Sequence, residues 1–167
     1  MNFAGIKDKD VQNGIGFGVS LFVSGCRGRC KGCFNPETWC FNFGEEFTSN
    51  TLEYILNLLD RPYVDFFSIL GGDPFEPENR GAVLDILIKT KEKYPNLKYY
   101  IWSRFLYEDC IKDEVLLRIL NLCDVFVDGS FVESKKDLSL PLRGSSNQRV
   151  INLQATRKNG DIVLLDL

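Results

Sequence analysis

The chain has 167 residues, of which 44% are hydrophobic and 26% are charged, a globular composition that argues against intrinsic disorder. Its formal net charge of −3 gives no electrostatic reason to expect a nucleic-acid partner. No stretch approaches the roughly 20 apolar residues of a membrane span, and the first segment, MNFAGIKDKDVQNG, lacks the apolar core of a secretory signal. We therefore expect one domain over 1–167, in the cytoplasm, with neither nucleic acid nor membrane as a partner.

Strands and helices are predicted to alternate along the chain. Runs rich in Val, Ile, Leu and aromatic residues predict strands over 16–25, 64–70, 97–103 and 124–131. Apolar residues at helical spacing predict helices over 51–60, 80–94 and 112–123. Two short segments, 149–154 and 161–167, are further strand candidates. This alternation predicts an α/β fold with a parallel sheet.

Three unusual loops follow predicted strands. A cysteine-rich loop follows the first strand, GGDP (71–74) follows the second, and DGSF (128–131) closes the fourth. Because the carboxyl ends of parallel strands lie at one edge of a sheet, we expect the three loops to form a single site.

The cysteine-rich loop has the pattern C-x3-C-x2-C, formed by Cys26, Cys30 and Cys33. Three thiolates on one tight loop can bind three irons of a [4Fe–4S] cluster and leave the fourth iron without a protein ligand. A structural zinc site requires four ligands, and the chain contains no histidine to complete one. Cys40 is a possible fourth ligand, so an all-cysteine zinc site or a closed electron-transfer cluster remains an alternative.

The surroundings of the thiols differ along the chain. Arg27, Arg29 and Lys31 interleave the cysteine motif, and we expect these cations to lower the thiol pKa values and favour thiolate ligands. Cys110 and Cys123 lie on or beside predicted helices, where packing as small apolar side chains is the simpler interpretation.

The C-x3-C-x2-C motif after a first strand resembles the signature of radical S-adenosylmethionine (SAM) enzymes, and GGDP resembles the glycine-rich stretch of that superfamily. Five segments together resemble the activating component of anaerobic (class III) ribonucleotide reductase: SLFVSGC, CKGCFNPETW, GGDPFEPEN, DVFVDGSF and KDLSLPLRGSSNQRVI. The resemblance extends from about residue 13 to residue 153. It implies an incomplete TIM-like (βα) barrel of the radical SAM type, with a parallel sheet and the helices outside, because a full barrel takes about 250 residues.

The resemblance also implies an activity. A reduced [4Fe–4S] cluster would cleave SAM to methionine and a 5′-deoxyadenosyl radical, which would take a hydrogen atom from a glycine of the reductase and leave a glycyl radical. The radical belongs to the cofactor, so no side chain is expected to act as a catalytic group. The implied partners are the glycyl-radical subunit of the reductase and a reduced flavodoxin or ferredoxin as electron donor.

The implied site residues fall into two groups, metal ligands and SAM contacts. The cluster ligands would be Cys26, Cys30 and Cys33. The SAM contacts would be Gly71, Gly72 and Asp73 at the methionine end, Gly32, Cys33 and Phe34 near the adenine, and Ser103 and Asp128 beside ribose or carboxylate groups. Many radical SAM enzymes have an aromatic residue where this chain has Gly32, so main-chain or Phe34 contact with the adenine is expected instead.

Three alternatives stay open at this point. The chain could activate another glycyl-radical enzyme, similar to formate lyase, or it could act on a small metabolite. It could also be a small iron–sulfur electron carrier or zinc-binding module without SAM chemistry, in which Cys40 would close the site. Arg143 and Arg149, in the segment LRGSSNQRV, could bind a carboxylate or the partner, or could be solvated.

Overall fold

The computed structural model describes residues 1–167, which form seven strands and five helices. The strands are β1 (Asn2–Asp10), β2 (Gly18–Val23), β3 (Glu45–Glu46), β4 (Phe66–Gly71), β5 (Lys98–Ser103), β6 (Val125–Asp128) and β7 (Arg149–Asn152). The helices are α1 (Ser49–Leu59), α2 (Pro77–Lys93), α3 (Tyr107–Cys110), α4 (Glu114–Leu122) and α5 (Leu153–Asn159). None of the helices combines the length and the apolar character needed to cross a bilayer.

The strands form one open sheet in the order β3-β1-β2-β4-β5-β6-β7. The central pairs β2–β4, β4–β5 and β5–β6 are parallel, and helices connect their strands. The pairs β1–β2, β1–β3 and β6–β7 are antiparallel, because the connections between these strands contain no crossover helix of the kind that a parallel pair requires. The α/β class is thus confirmed, whereas the sheet is parallel only in its centre and does not close into a barrel.

Both ends of the chain depart from the predicted elements. The strand β1 is not among the predicted elements, because the segment NFAGIKDKD is polar. In the structure most of its residues are half-buried. The predicted strand 149–154 ends at Asn152, whose side chain accepts a hydrogen bond from Ala155 N (3.0 Å) and caps α5. The predicted strand 161–167 is reduced to a single bridge between Ile151 and Leu164. Main-chain bonds nevertheless hold this last segment along the outer edge of β7.

The two faces of the sheet bury different amounts of apolar surface. On one face, Leu21, Ile69 and Ile101 belong to a cluster of 24 buried residues that includes side chains of α1, α2 and α4. On the opposite face, Phe66 and Tyr100 belong to a cluster of only five buried residues. The main helices therefore cover one face of the sheet, whereas loops and a cavity lie on the other face.

Candidate functional site

A cavity of about 590 Å³ lies where the loops after β2, β4, β5 and β6 meet, a size typical of small-molecule sites. The residues that line it from these loops and strand ends include Cys26, Cys30, Cys33, Phe34, Gly71, Gly72, Asp73, Ser103, Arg104, Gly129 and Phe131. The cysteine-rich loop, GGDP and DGSF therefore come together as expected from the alternation of strands and helices.

Main-chain hydrogen bonds fix the shape of the cysteine-rich loop. Cys26 N donates to Trp39 O (3.2 Å), which attaches the start of the loop to the 3-10 turn Pro36–Trp39. Gly28 N donates to Cys26 Sγ (3.3 Å), and Cys33 N donates to Cys30 O (3.1 Å) in a tight turn. The three cysteines of the motif are half-buried, and all three are free thiols.

The donor set suits an iron–sulfur cluster better than a single ion. No three cysteine or carboxylate side chains converge closely enough to hold one metal ion. A zinc ion would need four donors, with thiolates at about 2.3 Å. In a cluster each thiolate binds a different iron, so thiols that line one cavity without converging on a point fit such a group. Cys40 is exposed and does not line the cavity; it borders a separate depression on the other side of Cys26.

The electrostatics at Cys26 differ from the expectation. Burial raises the pKa of the Cys26 thiol, against the opposing effects of the Gly28 N–H and the Arg104 guanidinium. Arg27 does not act on the thiol as expected, because its guanidinium pairs with Glu76 and Glu78. The prediction that the interleaved cations lower the thiol pKa is therefore wrong for Cys26. The cation that acts against the rise in pKa is Arg104, at the end of β5.

Asp73 connects the loop after β4 to the end of β5. Its carboxylate is 1% exposed and accepts hydrogen bonds from Phe75 N (2.9 Å), Ser103 Oγ (2.7 Å) and Arg104 N (3.1 Å). Burial raises the pKa of this carboxyl group to about 6, although the three donors oppose the rise. Asp73 and Ser103 thus satisfy each other in the cavity wall.

The two glycines before Asp73 are required by the main chain around them. Gly71 has a φ of +108°, a left-handed conformation that favours glycine. A Cβ atom on Gly72 would lie 2.7 Å from Gly25 O and 2.9 Å from Thr38 O. The cysteine-rich loop therefore passes directly against Gly72, which accounts for this glycine before any ligand is considered.

Two of the predicted site residues do not line the cavity. Gly32 has a φ of +75°, a left-handed conformation that favours glycine, so the position disfavours the aromatic residue that many radical SAM enzymes have. Asp128 is fully buried, and its carboxylate accepts hydrogen bonds from Tyr107 N (2.8 Å) and the Arg149 guanidinium. This carboxylate joins β6 to α3 and β7 instead of facing the cavity.

Phe34, the residue after the last cysteine of the motif, presents a flat surface to the cavity. Its ring is 5.0 Å from that of Phe131, and Lys136 Nζ lies 5.4 Å from its centroid. The residue is 52% exposed, so part of the ring remains accessible to a ligand.

A wall formed by residues 138–148 was not foreseen as part of the site. Trp102 Nε1 donates to Leu142 O (2.8 Å), and Arg143 Nη1 donates to Gln148 O (2.7 Å), which fixes the segment beside the cavity. The sequence did mark the polar segment LRGSSNQRV, but its composition does not show whether these residues line a cavity or face solvent. Of its two arginines, Arg143 lines the cavity, whereas Arg149 pairs with carboxylates outside it.

Comparison with known proteins adds two findings. Residues 12–151 match the family model described as a 4Fe-4S single cluster domain. The anaerobic ribonucleoside-triphosphate reductase-activating protein of Enterobacteria phage T4 is 35% identical over 150 residues, which cover 90% of this chain and 93% of that protein. The proteins of the same name from Escherichia coli K12 and Vibrio cholerae are also 35% identical, over 92% and 89% of this chain and 100% and 96% of their own lengths.

Proposed function

Because the chain belongs to the family of the anaerobic ribonucleoside-triphosphate reductase-activating proteins and contains that family's 4Fe-4S domain, we propose that it activates an anaerobic ribonucleotide reductase as a radical SAM enzyme. The observation that supports this most directly is that the three cysteines of one loop and the glycine-rich loop after β4 line the same cavity. Cys26, Cys30 and Cys33 would hold a [4Fe–4S] cluster here, which would supply the chemistry of reductive SAM cleavage and so of hydrogen-atom removal from a glycine of the reductase.

The side chains of the cavity divide the binding task. Cys26, Cys30 and Cys33 would hold three irons and leave the fourth to SAM. The main chain of residues 71–73 would bind the methionine end, and Ser103 lies beside it through its bond to Asp73. Asp128 is left out of this set, because Arg149 and Tyr107 N hold its carboxylate.

The adenine end of SAM would lie against the other wall. The accessible part of the Phe34 ring would suit contact with the base. Phe22, Leu70 and Trp102 line the neighbouring part of the cavity along the uncovered face of the sheet. These apolar side chains would limit the access of water to the place where a reactive group would form.

The architecture supports a macromolecular substrate. We infer that the open sheet is the curved part of an incomplete TIM-like barrel and that 1–167 acts as one domain, since a single sheet extends from Asn2 to Asn152. Leu138, on the cavity wall, is 74% exposed, so this wall reaches the surface where a glycine-bearing loop of the reductase could enter. A reduced flavodoxin or ferredoxin is the proposed electron donor.

The first experiment is anaerobic reconstitution with iron and sulfide, reduction with dithionite, and chromatography of 5′-deoxyadenosine and methionine formed from SAM. Cys26→Ala, Cys30→Ala and Cys33→Ala are each expected to abolish both products, whereas Cys40→Ala, the matched control, keeps them. The reductase is then added, and its glycyl radical is measured by electron paramagnetic resonance.

Two of the alternatives predict results of their own. A stable cluster or bound zinc without SAM cleavage, lost in Cys40→Ala, would contradict the proposal and favour an electron carrier or zinc-binding module. SAM cleavage that places a radical on a formate-lyase-like enzyme and not on the reductase would assign the chain to another glycyl-radical system.

A further inference from the structure

A buried carboxylate behind the cysteine-rich loop connects three parts of the site. We propose that Glu76 is a positioning residue, which holds the main chain next to Cys26 and orients the Arg104 guanidinium in the cavity wall. The inference rests on the proposed function only in taking this loop as the cluster loop, and its first test uses the protein without a cluster.

The side-chain hydrogen bonds of Glu76 all go to Arg27, in the cysteine-rich loop, and to Arg104, in the cavity wall. The Glu76 side chain is 1% exposed and lies just before α2, outside the cavity lining. Oε1 accepts hydrogen bonds from Arg27 N (2.8 Å) and Arg104 Nη2 (2.9 Å), and Oε2 accepts one from Arg27 Nη1 (2.8 Å). Since Arg27 directly follows Cys26, the carboxylate fixes the peptide that follows the first thiol of the motif.

These donors explain how a buried carboxylate remains ionised. Burial works to raise the pKa of Glu76, but the Arg27 N–H and the two guanidinium groups keep it below its ordinary value. Charge-assisted hydrogen bonds of this kind are shorter and stronger than neutral ones. The loop is therefore attached to the protein more firmly at Arg27 N than its exposed position suggests.

Arg104 is held in place by the same carboxylate. Its guanidinium lines the cavity, and its buried Nε has no hydrogen-bond partner and lies 3.6 Å from Asp73 Oδ2. A Cβ atom on Gly28 would be only 2.8 Å from Arg104 Cδ, so this side chain packs directly against the cysteine-rich loop. Without the negative charge of Glu76, Arg104 would be free to move towards Asp73 and away from the loop.

Glu78 provides a matched control. It binds the same Arg27 guanidinium, with a 2.9 Å bond to Nη1 and a further contact to Nη2. Its side chain is 47% exposed and accepts nothing from the main chain of the loop. Glu78→Gln removes one carboxylate from Arg27 and leaves the bond to Arg27 N intact, whereas Glu76→Gln weakens that bond without changing the size of the side chain.

The first test is hydrogen exchange of the cluster-free protein, followed by mass spectrometry of peptides from residues 24–30. Loss of the charge-assisted bond in Glu76→Gln is expected to speed exchange at the Arg27 amide by about tenfold, with sheet amides unchanged. Alkylation of Cys26 is expected to be faster in the same variant. Glu78→Gln is expected to match the wild type in both. Unchanged loop exchange in Glu76→Gln, equal effects in the two variants, or faster exchange throughout the protein would each overturn the inference.

The second test is the midpoint potential of the reconstituted cluster in the same two variants. Loss of a buried negative charge beside the loop is expected to make the potential more positive in Glu76→Gln, and Glu78→Gln is expected to shift it less, because an exposed charge is screened by salt. Equal shifts would overturn the inference. If the wild type holds a cluster but cleaves no SAM, the proposed function fails, and both measurements still decide the role of Glu76.

Discussion

Replacement of Gly72 by alanine would test whether this glycine serves the main chain or the ligand. The added Cβ atom would lie 2.7 and 3.0 Å from the Gly25 O and N atoms and 2.9 Å from Thr38 O. All three are main-chain atoms, so the loop cannot yield by rotating a side chain. Overpacking of this kind costs about 1–3 kcal/mol, and we expect Gly72→Ala to lose that amount of unfolding free energy.

The same substitution at Gly81 is the control, since this glycine is exposed within α2 and its Cβ atom would meet nothing within 4 Å. Gly81→Ala is expected to stabilise the protein by about 0.5–1 kcal/mol, because alanine loses less backbone freedom in a helix. Urea denaturation of both cluster-free variants measures the difference. If Gly72→Ala keeps wild-type stability but binds SAM poorly after reconstitution, the glycine serves the ligand and the packing explanation is refuted.

Three further predictions concern buried thiols, a helix cap and an ion pair. Cys110 and Cys123 are fully buried, and burial raises the pKa of each thiol to about 12. Iodoacetamide should therefore leave both unmodified in the native protein, and after reconstitution it should modify only the exposed Cys40. Labelling of either buried thiol in the native protein would contradict this. The Asp113 side chain accepts hydrogen bonds from two main-chain N–H groups at the start of α4. Asp113→Ala should therefore lose about 1 kcal/mol of unfolding free energy, measured by urea denaturation, whereas Asp113→Asn should lose much less. Equal losses in the two variants would exclude capping as the cause. A hydrogen bond from Arg149 lowers the pKa of Glu108 from 4.5 to about 2, so the stabilisation that this pair gives is present above pH 4.5 and lost as the pH falls towards 2. In an acid titration of stability, Glu108→Gln should therefore lose less unfolding free energy over that interval than the wild type. Parallel curves for the two proteins would refute the assignment.

The sequence predicted the central part of the fold because that part follows local rules. The buried strands β2, β4, β5 and β6 are nearly continuous apolar runs, and the helices α1 and α4 have clear apolar periodicity. The antiparallel ends could not be predicted in the same way, since pairing direction depends on the connections and not on the composition of a strand. The strand β1 shows the difficulty, because KDKD suits a solvent-exposed turn as well as an edge region.

The site was predicted to the extent that its residues lie close together in sequence. The cysteine motif and GGDP are local patterns, and their meeting follows from strand order. The network of Glu76 could not be foreseen, because its partners Arg27 and Arg104 are 49 and 28 residues away. The position of Asp128 was equally hidden, since a polar residue at a strand end suits a ligand contact and a buried ion pair equally well.

The open ends of the sheet have a consequence for how the protein meets other chains. An uncovered edge strand offers unpaired N–H and C=O groups to which a foreign strand can add, and this is a common start of aggregation. At one edge the two-residue strand β3, formed by the exposed acids Glu45 and Glu46, pairs only with Asn2 and Phe3 of β1. The rest of this edge is β1 itself, which ends in the charged run KDKD. At the other edge the last segment of the chain lies along β7, with bonds from Asn152 N to Val163 O and from Leu165 N to Val150 O. Both edges of this open sheet are therefore protected from strand addition. Charged side chains protect one edge, and the C-terminal residues cover the other.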